Sequence, residues 1–130
     1  GKRVGIITIS AASLTDEHLK GAGVAQETPI VGTESGRHFS HAILDDEDEL
    51  DIEASRLDLL DAGKSLLTQH PDIGAIVLEC TNMVPYAADL RRAFGLPVYS
   101  IYTLLTWFQG GLIPRRFSHK LDDTRLYGVR

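Results

Sequence analysis

The chain has 130 residues, a formal net charge of −5, 43% hydrophobic and 24% charged residues, the make-up of one soluble globular domain with its own core. No window approaches the ~18 consecutive apolar residues of a membrane span, and the opening GKRVGIITIS lacks the apolar segment and cleavage site of a secretory signal. Basic residues are scattered, in runs no longer than pairs such as Arg91-Arg92 and Arg115-Arg116, which argues against nucleic acid as a partner, while a single cysteine, Cys80, excludes an internal disulfide and a Cys-rich zinc site and suits the reducing cytoplasm.

Apolar runs and helical patterns alternate along the chain. RVGIITI (residues 3–9) is a β-rich run entered almost at once and without an initiator Met, as expected of a trimmed piece of a longer protein. SLTDEHLKGAG follows, where Ser13 or Thr15 can cap a short helix and Gly21 or Gly23 can end it. TPIVGT (28–33) predicts a second, shorter strand, and ESGRHFSHAILDD (34–46) a connection too polar at its start to be core. The acidic run DDEDELDIE (45–53) reads as the solvated first turn of a helix, where the dipole favours carboxylates, rather than as a metal cage.

That helix is expected to run from about 47 to 70, with Leu50, Ala54, Leu57, Leu60 and Leu67 forming one buried stripe. Pro71 and Gly74 mark its end. AIVLEC (75–80) is a continuous apolar run, as in a strand covered on both faces. Pro85 fits the first turn of a helix carrying Ala87, Leu90 and Phe94, and Gly95 stops it. LPVYSI (96–101) predicts a fourth strand, and a last helix begins near Thr103 with Leu104, Phe108 and Leu112 on one face. Strand–helix alternation at this spacing implies right-handed βαβ units. The expected fold is α/β, a four-stranded parallel sheet with helices on both faces, flavodoxin-like. Residues 1–113 form the domain, and 114–130, with Phe117, Leu121, Leu126 and Tyr127, a tail or docking arm.

In such sheets ligands bind beyond the carboxyl ends of the strands. Cys80 ends the third strand, and a helix N-terminus is expected within about five residues, a setting that favours thiolate over thiol. Thr81 and Asn82 add a hydroxyl and an amide suited to a substrate carboxylate. The plainer reading is a small buried hydrophobe. Several cysteine chemistries fail on the neighbours. A small tyrosine phosphatase needs arginine six positions on, where Tyr86 stands; a nucleophile elbow needs small residues where Leu78 and Asn82 stand; a thioredoxin-type site needs a second cysteine. What survives is a thiol that gives and takes protons.

GAIVLECTNMVPYAADLRRAFGLPVYSIYTLL closely resembles the second half of proteins in the aspartate/glutamate/hydantoin racemase superfamily, where an apolar strand runs into Cys-Thr-Asn or Cys-Thr-His, then a proline-led helix and Gly-Leu-Pro-Val. GKRVGIITISAASLT also resembles the strand and Ser/Thr-rich loop that open that half. The resemblance implies two similar α/β halves facing across a cleft, one cysteine from each, and no cofactor. One thiolate removes the proton beside a carboxyl group and the opposite thiol delivers one to the other face. Cys80 is then one of the pair, Thr81 and Asn82 bind the carboxylate, and Ser10, Ala11, Ala12 and Ser13 offer further donors. The implied partners are a small carboxylate or hydantoin substrate and an N-terminal half or second subunit that brings the other cysteine. Where relatives usually carry Asp after Gly-Leu-Pro-Val and an aromatic residue, this chain has Ser100 after Tyr99.

Two other readings stand beside the racemase. Arylmalonate decarboxylase-like relatives work with a single cysteine in this half, and a non-catalytic flavodoxin-like binding domain needs none. His38 and His41 face either a cleft or a metal, although no third ligand is apparent. Tyr86 points into the pocket or packs on the sheet. Trp107 and Phe108 are core, or the surface that receives the other half. Glu79, beside Cys80 on a strand, is expected to face the opposite way.

Overall fold

The structure, a computed structural model, describes residues 1–115. Four strands, β1 (Arg3–Thr8), β2 (Ile30–Gly32), β3 (Ile73–Leu78) and β4 (Val98–Tyr99), form one all-parallel sheet in the order β2-β1-β3-β4. Helix α1 (Asp16–Gly21) joins β1 to β2, α2 (Phe39–Leu44) and α3 (Ile52–Gln69) join β2 to β3, and α4 (Ala87–Phe94) leads to β4. A 3₁₀ turn, Thr81–Tyr86, precedes α4, and α5 (Ile101–Leu112) follows β4. The expected docking-arm residues 116–130 lie outside the described residues.

Side-chain alternation along the strands divides the core. Ile7, Ile76 and Leu78 point to the face covered by α3 and α4, where they pack with Leu59, Leu66, Met83 and Leu90. Each such side chain contributes roughly 1.5–3 kcal/mol on burial. On that face a Cβ at Gly5 would lie 2.5 Å from the Ile73 side chain and 2.8 Å from Leu66, so α3 rides close on β1. Ile6, Thr8 and Val77 point the other way and share a cavity with Leu19 and Val24 on the α1 side.

The helix ends follow local chemistry. Thr15 and His18 cap α1 reciprocally, with the Thr15 N–H donating to His18 Nδ1 at 3.1 Å. Gly95, in the left-handed region at φ 69°, closes α4 by donating its N–H to Arg91 at 3.0 Å. Gly95→Ala is therefore expected to cost about 1–2 kcal/mol, read as a lower urea midpoint at unchanged slope.

Four expectations need correction. Residues 45–51 are not helical: Asp45 caps the end of α2, and Asp51 caps α3 by accepting the Ala54 N–H at 2.9 Å. A helical acidic run would stack like charges one turn apart, which disfavours it. The connection after β2 contains α2, whose Phe39, Ser40 and Ala42 are buried. The buried face of α3 is Ser55, Asp58, Leu59, Ala62, Gly63 and Leu66; of the expected stripe Leu60 and Leu67 pack at its margin, while Leu50 and Leu57 are each 37% exposed. Small residues sit on the buried face because α4 comes close: a Cβ at Gly63 would lie 2.5 Å from the Phe94 ring. Finally, β4 is only two residues long, and α5 starts directly after it with Ser100 as its cap.

Candidate active site at the carboxyl edge of the sheet

The chain leaves β1 toward β2 on one side and returns to β3 on the other. This makes the carboxyl ends of β1 and β3 a topological switch point, where the following loops part and leave a crevice. The two strands are tied up to that edge. The Glu79 N–H donates to the Ile7 carbonyl at 2.9 Å, and the Thr8 hydroxyl donates to Glu79 Oε2 at 2.9 Å. Cys80 is the next residue.

Cys80 is extended, at φ −76° and ψ 131°, partly buried and packed against the core. Its carbonyl accepts the Met83 N–H at 3.1 Å and starts the 3₁₀ turn. The thiol is thus neither sealed in nor fully open, and it lines none of the five cavities described here. The expected helix N-terminus is displaced: Pro85 falls inside the 3₁₀ turn, and α4 begins only at Ala87. Pro85 has no N–H to donate to the Thr81 carbonyl, so an α-helical bond is unavailable there. Thr81 and Asn82 are exposed on that turn.

The loop after β1 folds on itself. Ser13 donates to Ser10 Oγ from its N–H at 3.3 Å and from its hydroxyl at 3.0 Å. The Ala11 N–H donates to Glu34 Oε1 at 2.8 Å, so a carboxylate from the loop after β2 already occupies the amide expected to meet a substrate carboxylate. Glu34→Ala is expected to speed hydrogen exchange of the Ala11 amide roughly five- to tenfold, in line with a bond worth about 1 kcal/mol. An unchanged rate by NMR means water serves that amide equally well.

Asp58, on α3, holds the neighbouring loop and was not foreseen. Its buried carboxylate accepts the backbone N–H groups of Arg37 at 2.7 Å, His38 at 2.7 Å and Phe39 at 2.9 Å, where the chain enters α2. Burial pushes its pKa up, but these three N–H groups and the Arg37 guanidinium outweigh that and hold it below the usual carboxylate value. The only sequence signal was an acid set among leucines in an amphipathic helix. Thr33 and Ser40 share a hydrogen bond at 2.9 Å, and Ser40 donates to the Ile9 carbonyl at 2.9 Å, tying α2 to the loop after β1.

The remaining candidates sort by position. His38 Nε2 accepts the Asp51 N–H at 2.9 Å, and His41 is exposed. Among the described residues no group of three or more His, Cys, Asp or Glu is placed to hold a metal ion. Tyr86 is buried edge-on to Phe39, with ring centroids 6.0 Å apart, and so packs on the core. Trp107 and Phe108 are 74% and 60% exposed, which removes the core reading for both. Glu79 points to the face opposite Leu78, where it lines two cavities of about 620 and 450 Å³. No helix among the described residues is long and apolar enough to cross a membrane.

A parallel sheet with a cysteine and two hydroxyl-rich loops at its switch point fits one class of enzyme domain, and the chain belongs to it: the Asp/Glu/hydantoin racemase family model matches residues 1–108. Among curated proteins it is similar to the dimethylsulfoniopropionate lyase of Durusdinium sp. clade D, 38% identical over 64 residues, a match that takes in 49% of this chain and 21% of that lyase. The chain thus spans about a fifth of the length of the relative it matches. No solved structure gives a significant match.

Proposed function

We propose that Cys80 is an acid–base group for proton transfer at the carbon α to a carboxylate, in a longer protein of which this chain is one α/β unit. The observation that carries the reading is the place of Cys80, one residue beyond the last β1–β3 contact, at the carboxyl edge of the sheet where its strand order switches. The thiolate takes the α-proton, and the electron pair of the broken C–H bond moves into the carboxylate to give an enediolate. Donors from Thr81, Asn82 and the Ser10 hydroxyl offset the added charge on its oxygens, the donors of Ala11 and Ser13 being engaged by Glu34 and Ser10 until those bonds open. In a racemase a thiol from outside this chain returns a proton to the opposite face. The reading calls on no cofactor, and a reducing cytoplasm keeps the sulfur as a thiol.

A second reading is favoured by the similarity to a lyase. Here the α-proton again goes to Cys80. The electron pair forms a carbon–carbon double bond as a group on the β carbon departs with its bonding electrons, so one acid–base group is enough. The test is incubation of the intact protein with small carboxylates in heavy water, followed by NMR and chiral chromatography. Deuterium at the α carbon with loss of configuration supports the racemase, and an α,β-unsaturated acid with release of the β substituent supports the lyase. Neither outcome, across amino acids, hydantoins and β-substituted propionates, overturns the assignment to Cys80.

A further inference from the structure

The sheet face turned away from α3 is incompletely covered. Its larger cavity, about 620 Å³, lies between the ends of β3 and β4 and helix α5, and its walls include the rings of Tyr99 and Trp107 and the aliphatic Val77, Ile101 and Leu104. Glu79 is the one charged residue that lines it. The hydrogen bond from Thr8 fixes that carboxylate at the wall, and no described ion pair neutralises it. Residues 101–113 carry no charge at all.

Of the three hydroxyls on the wall, those of Ser100 and Thr103 are already engaged, which leaves that of Tyr99. Thr103 Oγ1 accepts the Ser100 N–H at 2.9 Å and donates to the Ser100 carbonyl at 2.7 Å, while the Ser100 side chain accepts from the Thr103 backbone. A primary ammonium brings three N–H donors and needs acceptors for them, and the side chains of this wall offer two, Glu79 and the Tyr99 hydroxyl. An onium group, in which methyls surround a positive nitrogen or sulfur, needs none. It gains instead from aromatic faces, apolar contact and one carboxylate.

We propose that this cavity is a subsite for a quaternary ammonium or tertiary sulfonium group. The site stands apart from the reading above: Glu79 points away from Leu78 into this cavity, whereas Cys80 packs against the core on the α3 and α4 side and does not line it. The ligand class is a small onium compound.

Trp107 is the sole tryptophan of the chain, so its fluorescence reports on the cavity directly. The 130-residue chain is titrated with choline, with its neutral carbon isostere 3,3-dimethylbutan-1-ol, and with ethanolamine. A saturable change with choline at millimolar concentration is expected, at least tenfold weaker with the other two. Glu79→Gln, which preserves shape and the bond from Thr8, is expected to weaken choline binding tenfold or more. Tyr99→Leu, at a half-exposed position that folding tolerates, removes an aromatic wall and is expected to weaken it about threefold or more. Choline has no carboxylate, so the outcome is independent of whether Cys80 moves a proton. An equal response to the isostere, or no effect of Glu79→Gln, overturns the subsite. So does a signal that follows protein concentration rather than choline, which would place a second copy of the chain on α5.

Discussion

Replacing Cys80 with serine is expected to lower α-hydrogen exchange in the intact protein by roughly 10²–10⁴-fold, the usual contribution of a positioned acid–base group. At 1.36 kcal/mol per decade this is about 3–5 kcal/mol of barrier. Serine keeps the size and place of the side chain, but its hydroxyl does not ionise near neutral pH, so the proton acceptor is lost while the scaffold stays. Cys80 is only partly buried, and the exchange is expected to cost about 1 kcal/mol of stability or less. Heavy-water exchange followed by NMR checks the first number and urea unfolding the second. Exchange that survives the substitution assigns the base elsewhere. A collapse in stability together with activity marks Cys80 as a packing residue.

Asp58→Ala is expected to have the largest effect on folding, about 3–5 kcal/mol, because it strips the common acceptor from three backbone N–H groups that α2 turns toward the interior. A domain of this size holds about 5–15 kcal/mol in all, so the variant sits near unfolding. Acid makes the same change reversibly. The folded-state pKa of Asp58 is depressed, so its stabilisation is fully present above the unfolded value of about 3.9 and is lost as pH falls through the lower folded value. The gap in stability between the natural chain and Asp58→Ala is therefore constant from neutral pH down to about pH 4 and narrows below it. A gap that stays constant to pH 3 in urea titrations shows that the ionised form is not what holds the loop.

Much of the architecture was legible because it rests on local patterns. The apolar runs of β1 and β3 announced a parallel sheet, Thr15 announced the start of α1, and Gly95 announced the end of α4. The short helix α2 was hidden because the acceptor at its entry comes from Asp58, about twenty residues on, and no local pattern records that. The rotation of the buried face of α3 was hidden for a related reason. Hydrophobicity rules follow leucines, whereas the closest approach of α3 to α4 selects Gly63 and Ala62, and the loop selects Asp58. At the candidate site, the motif located Cys80, Thr81 and Asn82 on one edge with Ser10 and Ser13. The Glu34 carboxylate on the Ala11 amide was out of reach, since it depends on how two loops from different strands fold together.

The Thr8–Glu79 bond joins positions 71 apart in the chain, so the two lips of the crevice are contributed by segments that meet only after the whole β2–α3 excursion has closed. Closure of a loop that long is entropically costly, and contacts of this range slow folding. No hairpin or single βαβ unit contains both lips. During refolding the crevice is therefore expected to form together with protection of the central β1–β3 amides, which pulse-labelled hydrogen exchange would read.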